Sequence, residues 1–452
     1  VTGRRVALAL AACLLGVPGA GHAQGVGERF TLAAGARDLS LDEAVSIALE
    51  DNPDVRSSRF RFDATRAGLW EAYGNFLPRL NLFGAIQKSG AGQFVVGGIT
   101  VPNPQTYTTF YEFDFTHRLF DAGRDFFRVD IAHAERRAAD AQLEADRLRI
   151  ASDVKRAYVA ALAAEALRQE REQEIEERKT RLELARARFD LGSVTRSDVL
   201  QAQIAVSQAE VDRVNAQKEV QTAKLDLLRT MGVSADPDSV RLAQGLAVFE
   251  PTWDADSLVT LALTENPALT RLRALRDQRD SENWIAKTSY LPTLEAGASF
   301  SHSVSDTTEL LFQDFEYRSF YSLSLNWELF GGFSRMNETS RAKAELRAAE
   351  EALRGGELAT EADVRQAHLN LLAAYQTHLA RKASVELART ELDLAQERYR
   401  IGALSFPDLL ASQVTLTIAE TDFIRSGFDF FTALIALEEA SGQALVPSRT
   451  AP

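Results

Sequence analysis

The sequence predicts an α+β membrane protein in which strands from several copies of the chain close a β-barrel and long α-helices extend it. Three observations predict this. The chain is one unit written twice, each unit carries strands with one aromatic-rich and one polar face, and each carries long runs free of Gly and Pro.

The bulk properties set the frame. The 452 residues are 45% hydrophobic and 25% charged, with a formal net charge of −13. That is near the globular norm and argues against both a disordered chain and a polytopic helical membrane protein. The acidic balance argues against a nucleic-acid partner, since phosphate binding needs Lys and Arg gathered on one face. Here they alternate with Glu and Asp along helices, as on solvated faces.

Residues 1–23 read as a secretory signal peptide. Arg4 and Arg5 form its charged end, Val6 to Val17 its apolar stretch, and Pro18-Gly19 a break. Gly21-His22-Ala23 supplies the small residues of a cleavage site before Gln24. Leu10-Ala11-Ala12-Cys13 also resembles a lipoprotein box, so lipidation of Cys13 is the alternative processing route. With ordinary cleavage the one cysteine leaves with the signal, and the mature chain is held by packing without disulfides. No later stretch is long and apolar enough for a transmembrane helix. Any membrane crossing is then made of strands.

The repeat is read from matched positions. Ile47-Ala-Leu-Glu-Asp-Asn-Pro53 matches Leu261-Ala-Leu-Thr-Glu-Asn-Pro267, Trp70 matches Trp284, and Leu77-Pro78 matches Leu291-Pro292. Leu119-Phe120 then matches Leu329-Phe330. Arg188-Phe189-x-x-Gly192 matches Arg398-Tyr399-x-x-Gly402, followed by Asp198 and Leu200 against Asp408 and Leu410. The repeats span 24–232 and 254–442, joined by segment 233–253 and followed by tail 443–452. Each is expected to run helix, strand pair, very long helix, tight turn, helix.

Within a repeat, Asn52-Pro53 and Asn266-Pro267 mark helix restarts, because Pro suits a first helical turn. Leu77-Pro78 and Leu291-Pro292 end those helices and begin extended chain. From Phe315 to Leu329 one face carries Tyr317, Tyr321, Leu323, Leu325 and Leu329, and the other Glu316, Arg318, Ser322, Ser324 and Glu328. Tyr107 to Leu119 and Leu294 to Val304 alternate in the same way, while the strand near Leu80 to Phe94 is less regular. A soluble antiparallel sheet shows the same alternation. The helices separate the readings: Asp125 to Leu191 and Val194 to Met231 hold no Gly or Pro, so the Gly192 turn doubles one long helix back on another. Gly355-Gly356 interrupts the second copy, and a local bend is expected there. A cytosolic coiled-coil scaffold would explain the helices but neither the signal nor the strands.

An open sheet edge in lipid leaves backbone groups unsatisfied, so the sheet must close. Four strands per chain are too few, and the barrel is therefore shared; two copies or three satisfy this physics.

The motifs Leu49-x-x-Asn52-Pro53, Leu119-Phe120-Asp121-x-Gly123 and Arg188-Phe189-x-x-Gly192-x-x-x-x-x-Asp198-x-Leu200, with their second copies, resemble the TolC-type outer-membrane efflux protein family over essentially the whole mature chain. The resemblance implies a homotrimer with a twelve-stranded transmembrane β-barrel, four strands per chain. Below it come an α-helical coiled-coil barrel in the periplasm and an equatorial region built from segment 233–253 and the tail. It implies an exit duct in the outer membrane of a Gram-negative bacterium, serving a tripartite efflux pump or a type I secretion system. Its partners would be a periplasmic adaptor docking at the Gly192 and Gly402 turns and an inner-membrane pump of RND, ABC or MFS type. Cargo is not read from the sequence.

The same resemblance places a gate at the helix turns. Asp198 and Tyr399 would link two helices, and Asp408 would give a ring of three carboxylates that concentrates cations. Leu404 stands where the family carries a basic residue, which leaves Arg196 or Arg400 to supply that charge. The family's second axial carboxylate falls at Ala411, so the ring is expected to be weaker here. Thr195-x-x-Asp198 and Ser405-x-x-Asp408 also read as helix caps.

An enzyme is not expected. The six histidines, His22, His117, His133, His302, His368 and His378, are not at metal-ligand spacing, and no nucleophile elbow, phosphate loop or dinucleotide fingerprint appears. No metal or cofactor is expected. A periplasmic coiled-coil adaptor is the competing function, but it would carry one central hairpin between β-rich halves.

Overall fold

The computed structural model describes residues 37–192, 194–243, 247–307, 309, 312 and 315–445. Segment 1–23, with Cys13, and the tail beyond 445 lie outside the described residues.

A short strand β1 (Arg37–Leu39) precedes α1 (Leu41–Asp51) and α2 (Pro53–Gly74). The chain continues as β2 (Arg79–Ser89), β3 (Gly92–Val96), β4 (Ile99–Asn103), β5 (Thr106–Phe120), α3 (Arg124–Asp190) and α4 (Arg196–Met231). After β6 (Val240–Leu242) come α5 (Ala255–Glu265), α6 (Pro267–Thr288), β7 (Thr293–Asp306), β8 (Glu316–Asn326), α7 (Ser334–Arg400) and α8 (Phe406–Ser441). Corresponding helices of the two halves have equal lengths of 11, 22, 67 and 36 residues. At 1.5 Å per residue, α3 and α7 are each about 100 Å long.

Two expectations from the sequence need correction. The strand expected to reach Phe94 ends at Ser89, and a separate ribbon follows, in which β3 pairs with β4. Its turn is Gly97-Gly98, both at positive φ (59° and 85°), a geometry suited to a two-residue hairpin. Second, α7 runs unbroken through Gly355-Gly356. A Cβ on Gly356 would lie 2.5 Å from Leu272 Cδ1 and 3.3 Å from Leu269 Cδ2. The missing side chain therefore serves close packing of α6 on α7.

β2, β5, β7 and β8 form an antiparallel four-stranded sheet in that order. Register aligns its two faces. Leu82, Phe113 and Phe300 share one row, Leu80, Phe115, Ala298 and Tyr321 the next, and Ala296 and Leu323 another. Asn81, Asp114 and Ser299, like Glu112, Ser301 and Arg318, lie on the opposite face. Leu82, Tyr321, Leu323 and Leu325 are exposed, so among the described residues nothing covers this part of the apolar face. Among the described residues, β2 and β8 are each paired along one edge only.

The helices form a layer of four columns. Below the short helices, α3 packs on α4 and on α8, and α8 packs on α7. Nearer the sheet, α3 packs on α2 and α6, and α6 packs on α7. Thus α2 takes over from α4 beside α3, and α6 takes over from α8 beside α7.

The two changeovers use the Asn-Pro motifs. Asn52 Nδ2 donates to the Thr230 carbonyl near the end of α4 (2.8 Å), while Asn52 Oδ1 accepts from the Asp54 backbone N–H at the start of α2 (2.8 Å). Asn266 repeats this between Ala440 (3.2 Å) and Ala268 (2.8 Å). One side chain thus satisfies an orphan carbonyl of one helix and an orphan N–H of the next. The closing glycines fit only without a Cβ. One on Gly232 (φ 78°) would stand 2.9 Å from Asn52 Cα, and one on Gly442 (φ 82°) 3.1 Å from Asn266 Cα. Beside the first joint, the buried Tyr158 hydroxyl lies 2.8 Å from the Leu39 carbonyl and 2.9 Å from that of Ala243. This ties parallel strands β1 and β6 to α3. Around them Ile47, Val55, Ile150, Val154, Leu227 and Met231 form one core, and Leu258, Val364, Leu371, Phe430, Leu434 and Leu437 form its counterpart in the second half.

Gly232→Ala is expected to cost about 3 kcal/mol, combining left-handed strain with displaced backbone. Gly192→Ala has the same sign of φ but open space around its Cβ, and should cost only about 1 to 2 kcal/mol. Apparent unfolding temperatures of the two variants check the order.

Candidate functional site

The expected gate residues lie at the turns of the two helical hairpins, where α3 meets α4 and α7 meets α8. The first turn begins at Leu191 and passes through Gly192 (φ 71°); the second begins at Ile401 and passes through Gly402 (φ 77°). The Gly192 N–H donates to the Phe189 carbonyl (2.8 Å), and those of Gly402 and Ala403 donate to Tyr399 (3.1 Å) and Arg398 (2.8 Å). These bonds satisfy carbonyls left open at each helix end. Leu191 and Ile401 are 81% and 70% exposed, so each tip presents an aliphatic side chain to solvent.

Both candidate acids cap helices. Thr195 Oγ1 accepts from the Asp198 N–H (3.3 Å), and the Asp198 carboxylate accepts from the Thr195 N–H (2.8 Å) and hydroxyl (2.9 Å). Asp408 accepts from the Ser405 hydroxyl (2.6 Å), and the Asp408 N–H donates back to it (3.3 Å). A carboxylate in a first helical turn also meets the positive end of the helix dipole. Both acids remain at exposed tips, so capping leaves each carboxylate in contact with water.

Within the chain Tyr399 makes no hydrogen bond to Asp198 among the described residues. Its ring instead receives Arg188 of the other hairpin, with the guanidinium carbon 4.8 Å from the ring centroid. It also lies 6.0 Å from the Phe406 ring. Such a contact joins two helices through ring face and charge, without the hydroxyl. Leu404, at the position expected to be basic, packs with Leu392, Ala395 and Leu409 inside the second hairpin. Phe406 reaches across to Leu182, Ala185 and Ala202 of the first.

The two candidate arginines part company. Arg400 is bound to Glu397 on its own helix (Nε to Oε2, 3.0 Å), and this bond holds the Glu397 carboxyl below the usual range. Arg196 has no ion pair among the described residues. Among the described residues neither side chain makes an ion pair with Asp198 or a cation–ring contact with Tyr399.

Sequence reasoning quoted Arg188 only as part of a motif and passed over Phe406, the side chains that bridge the hairpins here. It also passed over a buried ionic stretch further up α3. Ala164, Leu167, Arg171, Glu174, Arg178, Arg181 and Ala185 follow one another at alternating spacings of three and four, so charged residues occupy inward-facing positions. That spacing was the available signal. Among the described residues no group of His, Cys, Asp and Glu is arranged to hold a metal ion.

Residues 44–233 and 258–443 match the sequence profile of the family described as Outer membrane efflux protein. The chain is 28% identical to Protein CyaE of Bordetella pertussis over 413 residues, covering 90% of this chain and 84% of that one. It is 22% identical to Outer membrane protein TolC of Vibrio cholerae over 415 residues, covering 91% and 92%. The crystal structure of the outer membrane protein VceC from Vibrio cholerae superposes with a TM-score of 0.75 at 19% identity, covering 90% of this chain and 97% of that one.

The Arg188–Tyr399 contact generates a discriminating test. Tyr399→Phe keeps the ring face and should leave planar-bilayer leak currents unchanged, whereas Tyr399→Ala should raise them several-fold. Equal leak from both would instead point to the phenolic hydroxyl and Asp198.

Proposed function

Because the chain belongs to the outer membrane efflux protein family, we propose that three copies stand side by side to close one continuous tube through the outer membrane and periplasm. The protein is an outer-membrane channel for efflux or secretion, of a family that transports rather than catalyses.

One observation supports the closure above all: both layers of the chain end in unpartnered edges of matching kind. The sheet ends in β2 and β8, each with one row of backbone donors and acceptors unused among the described residues. The helical layer ends in α4 and α7, and both carry exposed aliphatic seams. On α4 these are Leu200, Ile204, Val211, Val214 and Leu225, which fall on the three-and-four grid of one heptad register, with Ser207, Lys218 and Gln221 at the positions between them. On α7, Leu372 and Leu379 lie seven residues apart and, after a step of eight, so do Leu387 and Leu394, with Ile401 of the turn seven further on. Edges of two different kinds, β2 with β8 and α4 with α7, join head to tail and generate a ring. Four strands from each of three copies give twelve, which leaves a lumen. The exposed apolar sheet face then meets lipid, and its polar face lines the passage.

At the far end, the exposed Leu191 and Ile401 beside Gly192 and Gly402 form the adaptor-docking surface. The adaptor in turn joins an inner-membrane pump of RND, ABC or MFS type, which supplies the energy the duct lacks. Asp198 and Asp408, facing water from their capped helix ends, contribute carboxylates to the mouth, with Arg196 and Arg400 as the nearby basic groups. Arg188 on Tyr399, and Phe406 of the second hairpin packed against the first, hold that mouth narrow.

Two measurements test this reading. Ile204→Asp with Val211→Asp should abolish the heat-modifiable trimer in an outer-membrane fraction, while a single chain keeps its helical circular dichroism; an intact trimer would refute the α4 seam. Asp408→Ala should lower cation preference in planar bilayers, and unchanged selectivity would remove the carboxylate ring.

A further inference from the structure

The ionic stretch of α3 lies where the first hairpin meets the second. Glu174 is held by two guanidiniums: Arg171 Nη1 lies 2.7 Å from its Oε2, and Arg178 Nε lies 3.0 Å from its Oε1. Arg171 also crosses the boundary, its Nη2 donating to the Thr421 hydroxyl of α8 (3.1 Å). Arg178 Nη1 reaches the Ala205 carbonyl of α4 (3.4 Å). An open cavity of about 470 Å³ beside them, lined by Arg171, Glu174, Arg178, Asp212, Glu219 and Arg425, gives water a route to the seam.

Glu170 has no such clamp. Its side chain is only 12% exposed, and Oε2 stands 3.4 Å from Arg171 Nε without a hydrogen bond. The groups facing it are mostly acidic: Glu174 and Glu177 on α3, and Glu420 on α8. Among the described residues Arg171 is its one close cation, and that residue is already committed to Glu174 and Thr421, with Asp212 of α4 also acting on it. Glu420 is itself tied to Arg389 of α7 (2.9 Å), so α7 is linked to the same cluster.

We propose that this seam is a proton-operated latch: a protonated Glu170 lets α8 close on α3, and its ionisation drives the two hairpins apart. The inference rests on the duct reading, since it supplies the movement that opens the tip. Protonated, Glu170 is a neutral group in a tight seam. Ionised, it adds a negative charge beside three other carboxylates, and separation of α8 from α3 hydrates it. Burial pushes the Glu170 carboxyl up to about 7, partly opposed by Arg171 and assisted by Glu174, Glu420 and Glu177. The sign follows. A carboxyl raised in the closed arrangement favours closure fully below its ordinary value, and that advantage fades as the pH rises to about 7. Alkalinity loosens the latch and acid tightens it.

Hydrogen–deuterium exchange on the purified full-length trimer tests this, with rates corrected for the intrinsic pH dependence of exchange. Amides of 165–181 and 413–425 should lose about tenfold in protection between roughly pH 5.5 and pH 8. Glu170→Gln should keep acid-like protection throughout, and Thr421→Val should lower protection at both ends. A Glu170→Gln trimer with the wild-type pH profile overturns the latch, as does a pH-independent wild type. Planar-bilayer conductance separates this from the underlying reading. A conducting trimer with a flat exchange profile sinks the latch alone. A protein that never conducts, yet shows the exchange pattern and its loss in Glu170→Gln, sinks the duct and leaves the latch.

Discussion

The helical part depends on one kind of joint, the asparagine that splices two helices into one column. A 67-residue helix can rise through the whole helical layer as a single rod, but its neighbours α4 and α8 stop after 36 residues. Each must be continued by a helix from the start of its own repeat, a segment 178 residues away in the first case and 174 in the second. A break between two helix ends leaves open carbonyls on one side and open N–H groups on the other. Asn52 and Asn266 answer both with a single amide, and the following prolines have no N–H to satisfy. The glycines that end α4 and α8 let the backbones approach closely enough for the amide to reach. Without the splice, α2 and α6 would not be placed to carry the strands.

The duplication preserves this backbone while changing the chemistry on it. Where Ser58 donates to Asp146 in the first half, Leu272 packs on Gly356 in the second. Between strand and long helix, two successive residues adopt positive φ in both halves, but Ala122-Gly123 becomes Gly332-Phe333. Asp121, which accepts from the Gly123 and Asp125 N–H groups, becomes Gly331. The ionic seam is likewise confined to one copy. In α7, Ala380, Ser384 and Ala388 stand at the positions that Glu170, Glu174 and Arg178 occupy in α3. In the proposed three-chain tube, a ring of six hairpins would therefore be close to sixfold in shape and only threefold in charge.

Much of the fold was legible because it obeys strong local rules. Gly and Pro punctuate the long helices at their ends, alternation marks the strands, and repetition of Asn-Pro and the Gly turns fixes the order of elements. The ribbon at Gly97-Gly98 was not legible, because short Gly-rich stretches carry no period. Gly355-Gly356 misled for a related reason: glycine lowers helix propensity locally, but packing against Leu272 decides. The candidate site was legible in place more than in contact. Motif spacing put Asp198, Asp408 and Tyr399 at the turns, whereas the contact of Tyr399 with Arg188 inside one chain is set by packing between hairpins. The buried charges of α3 looked like any solvated helix face until their three-and-four spacing was set beside that of Ala164 and Ala185.

The unpaired edges of β2 and β8 have a consequence for how such a protein is made. A lone chain entering hydrocarbon would carry two rows of unsatisfied backbone groups, each costing several kcal/mol. If three copies close the proposed barrel, assembly and insertion would occur as one event, and a newly exported chain would wait in water with those strands uncovered until two others arrive. The rate of that meeting climbs steeply with concentration. The yield of finished pores would accordingly follow the supply of newly exported chains as a threshold rather than in proportion.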